Sequence, residues 1–194
     1  MAGRVELVNR ALSKIGQRPI SSASEESPQA KAALLVYDSV RREVLQSYSW
    51  AFAVRTEKLT LLSSVPLDFK FSFALPPDCL RAIRVTAPPS FRCQDENGGR
   101  TFAVRGNEVL TDLPAAVLEY VSDVTEERLF DPRFCEAFVL KLASELAVPL
   151  GGKGELMASY AQQYDVTVRH AAAQSESQFY EEHDTNPYLS ARFQ

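Results

Sequence analysis

The spacing of apolar residues changes twice along this chain, and these changes constrain the fold more than any other feature of the sequence. Up to Trp50 the apolar residues recur every three or four positions, which predicts helices. From there to about Val121 they alternate roughly with polar residues, which predicts strands, and from Asp131 the helical spacing returns. The sequence therefore predicts an α+β fold with strands between two helical segments.

Two helices are predicted before Trp50. The first carries its apolar residues on one side and ends at Gly16; these residues are Val5, Val8, Ala11, Leu12 and Ile15. In the second, Ser27 is the predicted N-cap, and Pro28 takes the first helical position, where its missing N–H costs no hydrogen bond. This second helix is predicted to run to about Ser49, with an apolar side made of Leu34, Tyr37, Val44, Leu45 and Tyr48.

Six short segments after Trp50 are rich in β-branched and aromatic residues: AFAVRTEKLTLL, FKFSFAL, CLRAIRVTA, RTFAVRG, NEVLT and AVLEYVSDV. Turn signals separate them, namely Pro76-Pro77-Asp78, Asn97-Gly98-Gly99 and Gly106-Asn107. Because the connections are too short for parallel crossovers, the segments predict an antiparallel meander of five or six strands.

Two more helices complete the prediction. Asp131 and Pro132 repeat the cap-then-proline signal of the second helix, and a fourth helix runs from about Gly154 to Glu182. The predicted fold is a four-helix bundle with an antiparallel β insertion between helices 2 and 3, and an extended C-terminal tail. The domain limits that follow are 1–51 and 123–183 for the helical bundle, 52–122 for the β insertion and 184–194 for the tail.

Composition and charge exclude several functions. The 194 residues are 45% apolar, enough to bury a core, and the net charge of −4 argues against a basic groove for nucleic acid. There is no run of about 18 apolar residues, so no membrane span is predicted. The opening MAGRVELVNRALSKIG is amphipathic and charged, unlike a secretory signal, so we expect a protein made and kept inside a cell or in what assembles there.

The segment FALPPDCLRAIRV contains the strongest candidate for a reactive residue, Cys79. A catalytic cysteine needs a neighbouring base to lower its pKa, and the chain has only two histidines, His170 and His183, both in or after the fourth helix. Free cysteine is also among the most commonly buried residue types. We therefore interpret Pro76-Pro77-Asp78 as a sheet corner and Cys79 as the start of the next strand.

The sequence predicts no cofactor or metal site. Its three cysteines, Cys79, Cys93 and Cys135, are odd in number and far apart, which argues against a disulfide framework and against zinc. The run Gly151-Gly152-Lys153-Gly154 lacks the spacing of a phosphate-binding loop and indicates a turn between helices. With no catalytic residues predicted either, a structural or interaction protein is favoured.

Four segments of the sequence, taken in their order along the chain, resemble those of a known class of proteins. ELVNRALSKIGQRPI is followed by AKAALLVYDSVRREVLQSYSWAFAVRTEKL, which contains the Trp-x-Phe pair Trp50 and Phe52. FALPPDCLRAIRV follows, and then LEYVSDVTEERLFDPRFCEAFVLKLASELAVPL. In this order they resemble the head-to-tail adaptor proteins of short-tailed phages, of the tail tubular protein A type. The resemblance covers nearly the whole chain.

The resemblance implies a structural virion protein without enzymatic activity or cofactors. It would form a homo-oligomeric ring of about twelve copies between the portal protein at the capsid vertex and the tail nozzle protein, with a tail fibre or tailspike as a further partner. The ring would be assembled in the host cytoplasm, would lie at the head–tail junction of the virion and would let double-stranded DNA pass. Because the C-terminal region of the family reaches toward the portal, the expected portal-binding residues are Asn186, Pro187, Tyr188, Leu189, Arg192 and Phe193.

Two alternatives stay open at this point. One is a head-completion or connector protein of a long-tailed phage or a phage-derived particle. The other is a cysteine-dependent hydrolase that uses Cys79.

Overall fold

The computed structural model describes residues 3–64, 66–88, 102–152 and 154–180, with side chains described up to residue 173. Within these ranges the chain forms four α-helices, which are α1 (Arg4–Lys14), α2 (Pro28–Ser47), α3 (Pro132–Gly151) and α4 (Gly154–Tyr180). Six strands are β1 (Val54–Lys58), β2 (Phe71–Ala74), β3 (Cys79–Thr86), β4 (Phe102–Arg105), β5 (Glu108–Thr111) and β6 (Val117–Ser122). A 3-10 helix, Glu127–Leu129, precedes α3.

The chain divides into two compact units. The first, here called the helical unit, contains the described residues up to Val44 and those from Phe130 onward. The second, here called the strand unit, is Leu45–Leu129. The division falls within α2, so the last residues of this helix belong to the strand unit.

Local capping sets the helix ends. Asp131 adopts an extended backbone conformation, and its Oδ1 accepts a hydrogen bond of 2.8 Å from the backbone N–H of Arg133. The Ser27 hydroxyl accepts a bond of 3.2 Å from the N–H of Ala30 in the same way. Gly152 ends α3 with φ of 61°, a left-handed conformation that glycine adopts without steric cost. Both predicted cap-then-proline starts are confirmed.

Helix α3 lies at the centre of the helical unit. Its buried apolar residues lie on more than one side of the helix; they are Phe134, Ala137, Phe138, Val139, Leu140, Leu142, Ala143 and Leu146. The ring of Tyr37 from α2 meets Phe138 edge-on, with 5.0 Å between centroids. A helix with so wide an apolar surface needs cover on most of its circumference, and α1, α2 and α4 all contact α3.

Polar contacts at the borders of α3 fix the neighbouring helices. The Lys141 ammonium lies 2.9 Å from a carboxylate oxygen of Glu43 on α2. On the α1 side, Lys14 lies 3.3 Å from Glu136, and the Tyr160 hydroxyl of α4 donates a bond of 2.6 Å to the carbonyl of Lys14. These contacts surround the apolar interior without entering it.

The six strands form two three-stranded antiparallel sheets in the strand unit. Sheet A has the order β1-β6-β3, and sheet B has the order β2-β5-β4. Side chains from both sheets and their connections form one core: Leu59, Phe73, Val85, Val109, Leu113, Ala116, Leu118 and Tyr120. The Trp50 side chain, which lies where the chain changes from helix to strand, is buried.

The predicted arrangement, one four-helix bundle with one antiparallel β insertion between helices 2 and 3, is wrong, although the α+β class is correct. The strands form two sheets rather than a meander, and only β4 and β5 are both successive in the chain and paired. The unit that holds the strands also includes the end of α2. Alternating residues fix which face of a strand is buried and leave its partner strand open. The predicted tail, 184–194, lies outside the described residues, and the predicted domain limits stay predictions.

Candidate functional site

The proline corner connects the two sheets. β2 of sheet B ends at Ala74, β3 of sheet A begins at Cys79, and Pro76 and Pro77 lie between them. Proline has no N–H to donate to a ladder, so the chain leaves sheet B here. The N–H of Cys79 donates a bond of 3.0 Å to the Pro76 carbonyl and closes the turn. The interpretation of this segment as a sheet corner is confirmed.

Asp78 joins the corner to the other two strands of sheet A. Its Oδ1 accepts a bond of 3.0 Å from the Tyr120 hydroxyl on β6, and its Oδ2 accepts one of 3.0 Å from Arg55 Nη1 on β1. Its backbone carbonyl accepts a third bond, of 2.8 Å, from the N–H of Asp123. One residue thus holds the corner against β1 and β6.

Tyr120 is a neutral hydrogen-bond donor at this corner. Its side chain is buried, and its hydroxyl lies 3.0 Å from Asp78 and 3.2 Å from Glu57. Burial, in the first place, and then the hydrogen bond to Asp78 and the charges of both carboxylates raise the pKa of Tyr120. The hydroxyl therefore keeps its proton and stabilises the corner rather than acting as a base.

The environment of Cys79 opposes catalysis. Its thiol is half-buried, and burial raises its pKa, with a further increase from the negative charge of Asp78. The thiolate is the nucleophilic form, so a raised pKa lowers reactivity at neutral pH. His170, one of the two possible bases, is exposed on α4 in the helical unit, and His183 lies outside the described residues.

The remaining sequence candidates give no site in the described part of the chain. Cys135 is buried in α3, and burial raises the pKa of its thiol as well. No three His, Cys, Asp or Glu side chains cluster there in a way that could hold a metal ion. Cys93 lies outside the described residues, as do the expected portal-binding residues Asn186, Pro187, Tyr188, Leu189, Arg192 and Phe193. None of the described helices has the length and apolar run needed to cross a bilayer.

A surface on α2 exposes two consecutive leucines. The exposed fraction is 55% for Leu34 and 83% for Leu35. The apolar spacing placed Leu34 on the buried side of the helix, which is wrong. Neighbouring residues of an α-helix point about 100° apart, so two consecutive leucines cannot both lie at the centre of one buried stripe. The Leu34-Leu35 pair was therefore the sign in the sequence that at least one of the two leucines is exposed.

A shallow pocket adjoins Leu34, between α1 and α2. Its cavity volume is about 10 Å³, room for about one water molecule. Its lining is mostly apolar and includes Val5, Val8, Ile20, Ala30, Ala33 and Leu34. Arg4 lies at the pocket with its guanidinium stacked on the ring of Tyr37, 4.2 Å from the centroid. We call Leu34, Leu35 and this pocket the leucine surface.

Charged residues around the leucine surface are paired within the chain. Lys31 lies 2.6 Å from Glu26, and Asp38 lies 3.5 Å from Arg41 and 3.6 Å from Arg4. The charges of the surrounding polar residues therefore largely cancel. The two leucines are the exposed apolar part of the surface that these residues surround.

Comparison with protein families gives a match over the N-terminal half of the chain. Residues 5–109, which run from the first turn of α1 into β5, match the family model described as "Tail tubular protein". The match covers more than half of the chain and includes both the leucine surface and the proline corner. No curated protein matches the chain.

Proposed function

The chain belongs to the tail tubular protein family, whose members are structural components of phage tails, and from that premise we propose that it is the head-to-tail adaptor of a short-tailed phage. In this role copies of the chain form a ring between the portal protein and the tail nozzle protein. The ring extends the DNA channel and seals it at the head–tail junction. The family is structural rather than enzymatic.

The family match together with the order of motifs is the observation that carries this proposal. The matched range contains the two N-terminal helices, the Trp50 junction and the proline corner. Their order in the sequence is the one that resembles adaptors of the tail tubular protein A type. The corner has the contacts of a structural element, because Asp78 and Tyr120 hold strands together and Cys79 is not activated.

The charge of the chain is compatible with DNA passage. Each Lys or Arg contact with a phosphate adds to the affinity for DNA, and many such contacts would retain it. A chain with a net charge of −4 holds DNA weakly, so the DNA can slide through the ring.

We place the portal contact in residues 186–194. This segment is polar apart from a few side chains, among which Tyr188, Leu189 and Phe193 are large and apolar, and it also contains Arg192. Aromatic side chains and arginine contribute more than other residue types to the binding energy of protein interfaces. These side chains are therefore suited to grooves between portal subunits.

Deletion of Asn186–Gln194 tests this placement. We expect the truncated chain to keep its melting temperature within about 1 °C, because the deletion leaves the described helices and strands intact. We expect it to lose co-sedimentation with purified portal. The double variant Tyr188→Ala/Phe193→Ala should weaken binding similarly, whereas the matched control Ser190→Ala/Gln194→Ala should bind like the wild type.

Two outcomes would contradict the proposal at different levels. If the truncated chain bound portal with wild-type affinity, the portal contact would lie elsewhere on the protein. If the full-length chain failed to bind portal at all, the adaptor function itself would be wrong.

A further inference from the structure

We infer that β1 is a blocked sheet edge, which means that its charged side chains keep it from pairing with a strand of a second copy of this chain. The inference concerns the free chain and does not depend on the proposed ring. It is supported by the open backbone groups of β1, by the protection of the other sheet edges and by the position of the charges.

The backbone of β1 offers hydrogen-bonding groups to a further strand. Within the described part of the chain, β6 is the single strand that pairs with β1. The carbonyl of Ala53, just before β1, accepts a bond of 2.8 Å from the Ser122 N–H of β6. Residues that bond β6 alternate with residues that face away from it, so Thr56 and Lys58 direct their N–H and carbonyl groups outward. Such groups are a template for strand pairing.

The other border strands are protected in ways other than charge. Residues 60–62 cover the outer edge of β2, where the Leu62 N–H donates a bond of 2.8 Å to the Ser72 carbonyl. The register of β3 with β6 shifts in two places, and β4 has only four residues. Cover, irregular register and short length all hinder the addition of a strand. By contrast, β1 pairs with β6 over five residues in an unbroken register, and no described segment covers its outer edge.

Two charged side chains of β1 lie on the core face of sheet A. Arg55 lies opposite Tyr120 and Glu57 lies opposite Leu118, and both residues of β6 belong to the core of the strand unit. Side chains directly opposite each other in antiparallel strands share a face. Arg55 Nη1 is held 3.0 Å from Asp78 Oδ2, and Glu57 is held 3.2 Å from the Tyr120 hydroxyl. An added strand would remove water from these charges, which is costly.

Lys58 places a further charge on the opposite face of the strand. Its side chain is exposed, and its ammonium has no ion pair within the described part of the chain. An added strand would cover part of this charge without supplying a partner. Both faces of the β1 edge therefore carry charges that oppose pairing.

One register of two β1 strands would bring opposite charges together. In an antiparallel pair centred on Thr56, Arg55 of one copy would lie opposite Glu57 of the other. Both side chains already have partners, Asp78 and Tyr120, and exposed ion pairs contribute little. We therefore expect the wild type not to pair in this way.

The test removes charges from the β1 edge and makes the same change elsewhere. Arg55→Val/Glu57→Val replaces one positive and one negative side chain on β1. The matched control, Glu126→Val/Arg128→Val, replaces an exposed ion pair outside the strands. Sedimentation velocity of each purified chain, without portal, measures self-association. We expect the β1 variant to associate at least about tenfold more tightly than the control and the wild type.

A second variant, Lys58→Val, leaves the contacts of Arg55 and Glu57 at the corner intact. It decides the question if the first variant does not fold, which circular dichroism detects. Its control is Lys70→Val, at an exposed lysine that precedes β2. We expect Lys58→Val to associate more tightly than Lys70→Val.

Amide hydrogen exchange identifies the surface that associates. The N–H groups of Thr56 and Lys58 face away from β6, so they exchange fast in the free chain and become protected when a strand is added. We expect protection of these two amides in the associated β1 variants and fast exchange in the wild type. A ring formed through other surfaces leaves both amides fast.

Three outcomes would overturn the inference and leave the adaptor proposal intact. In the first, the folded β1 variants associate no more than the wild type. In the second, the control variants associate equally, so that added valine rather than the β1 edge is the cause. In the third, the wild type associates with Thr56 and Lys58 protected, so that β1 binds a strand instead of blocking one.

Discussion

The helical unit and the strand unit place their polar contacts differently. In the helical unit α3 is buried along most of its length, and ion pairs such as Lys141–Glu43 lie at the edge of its buried surface. In the strand unit Tyr120 is both a member of the apolar core and the donor to Asp78. The comparison teaches that the strand unit includes hydrogen-bonded hydroxyls in its interior, those of Ser72 and Ser122 as well as Tyr120, whereas the ion pairs around α3 stay at its edges.

The two units also expose apolar residues in different ways. In sheet B, Leu61, Phe73, Val109 and Val104 are paired across the strands, so they lie in one row on one face. The two inner members are buried and the two outer ones are exposed, as expected where a sheet ends. On α2 the exposed leucines lie in mid-helix, where no such geometric reason applies.

Removal of a buried phenylalanine side chain from each unit should cause the largest loss of stability. Phe138→Ala in the helical unit and Phe73→Ala in the strand unit each delete a fully buried ring, and we expect each to lower the free energy of unfolding by about 3–5 kcal/mol. Hydrogen exchange should rise in α1 and α3 for Phe138→Ala and in β2 and β5 for Phe73→Ala. If either variant increased hydrogen exchange equally in both units, the division of the chain into two compact units would be contradicted.

Loss of the Tyr120 hydroxyl should have an intermediate effect that depends on pH. We expect Tyr120→Phe to lower the free energy of unfolding by about 1–3 kcal/mol at pH 7, because Asp78 and Glu57 lose a buried donor. Tyr160→Phe, which removes a single hydroxyl bond in the helical unit, is the matched control, at about 1 kcal/mol.

The pH dependence follows from the raised pKa of Tyr120. Above about pH 10 an unfolded tyrosine loses its proton while Tyr120 in the folded state keeps it, so the folded state loses stability as pH rises. The contribution is complete below that pH. The difference between wild type and Tyr120→Phe in urea unfolding should therefore stay constant up to about pH 10 and shrink above it. If the difference stayed constant above that pH, the folded state would not raise the pKa of the Tyr120 hydroxyl.

Substitution of the two described cysteines by serine should cause the smallest losses of stability. Cys79→Ser should lower the free energy of unfolding by less than about 1 kcal/mol, because its side chain is half-buried, and Cys135→Ser by about 1–2 kcal/mol, because it is buried. At pH 7 both thiols should react with iodoacetamide more slowly than in urea, and Cys135 more slowly than Cys79. Labelling of Cys79 at the rate of an activated thiol would instead revive the cysteine-dependent hydrolase.

Much of the local structure was determined by the sequence alone. Ser27 with Pro28 and Asp131 with Pro132 start helices because capping and proline act within one turn. All six predicted strand segments contain a strand, since alternation over a few residues is a local signal. The corner after Ala74 was predicted for the same reason, because Pro76 and Pro77 cannot continue a ladder.

The tertiary structure alone decided which elements meet. β1 pairs with β6 rather than with β2, although more than 50 residues separate their ends, because alternation does not encode a partner. Tyr120 reaches Asp78 across 42 positions of sequence, and Arg55 reaches it across 23, so the network at the corner has no local signature. The exposure of Leu34 was decided in the same way: helical spacing defines a stripe, and the elements that pack on α2 determine which part of that stripe is covered.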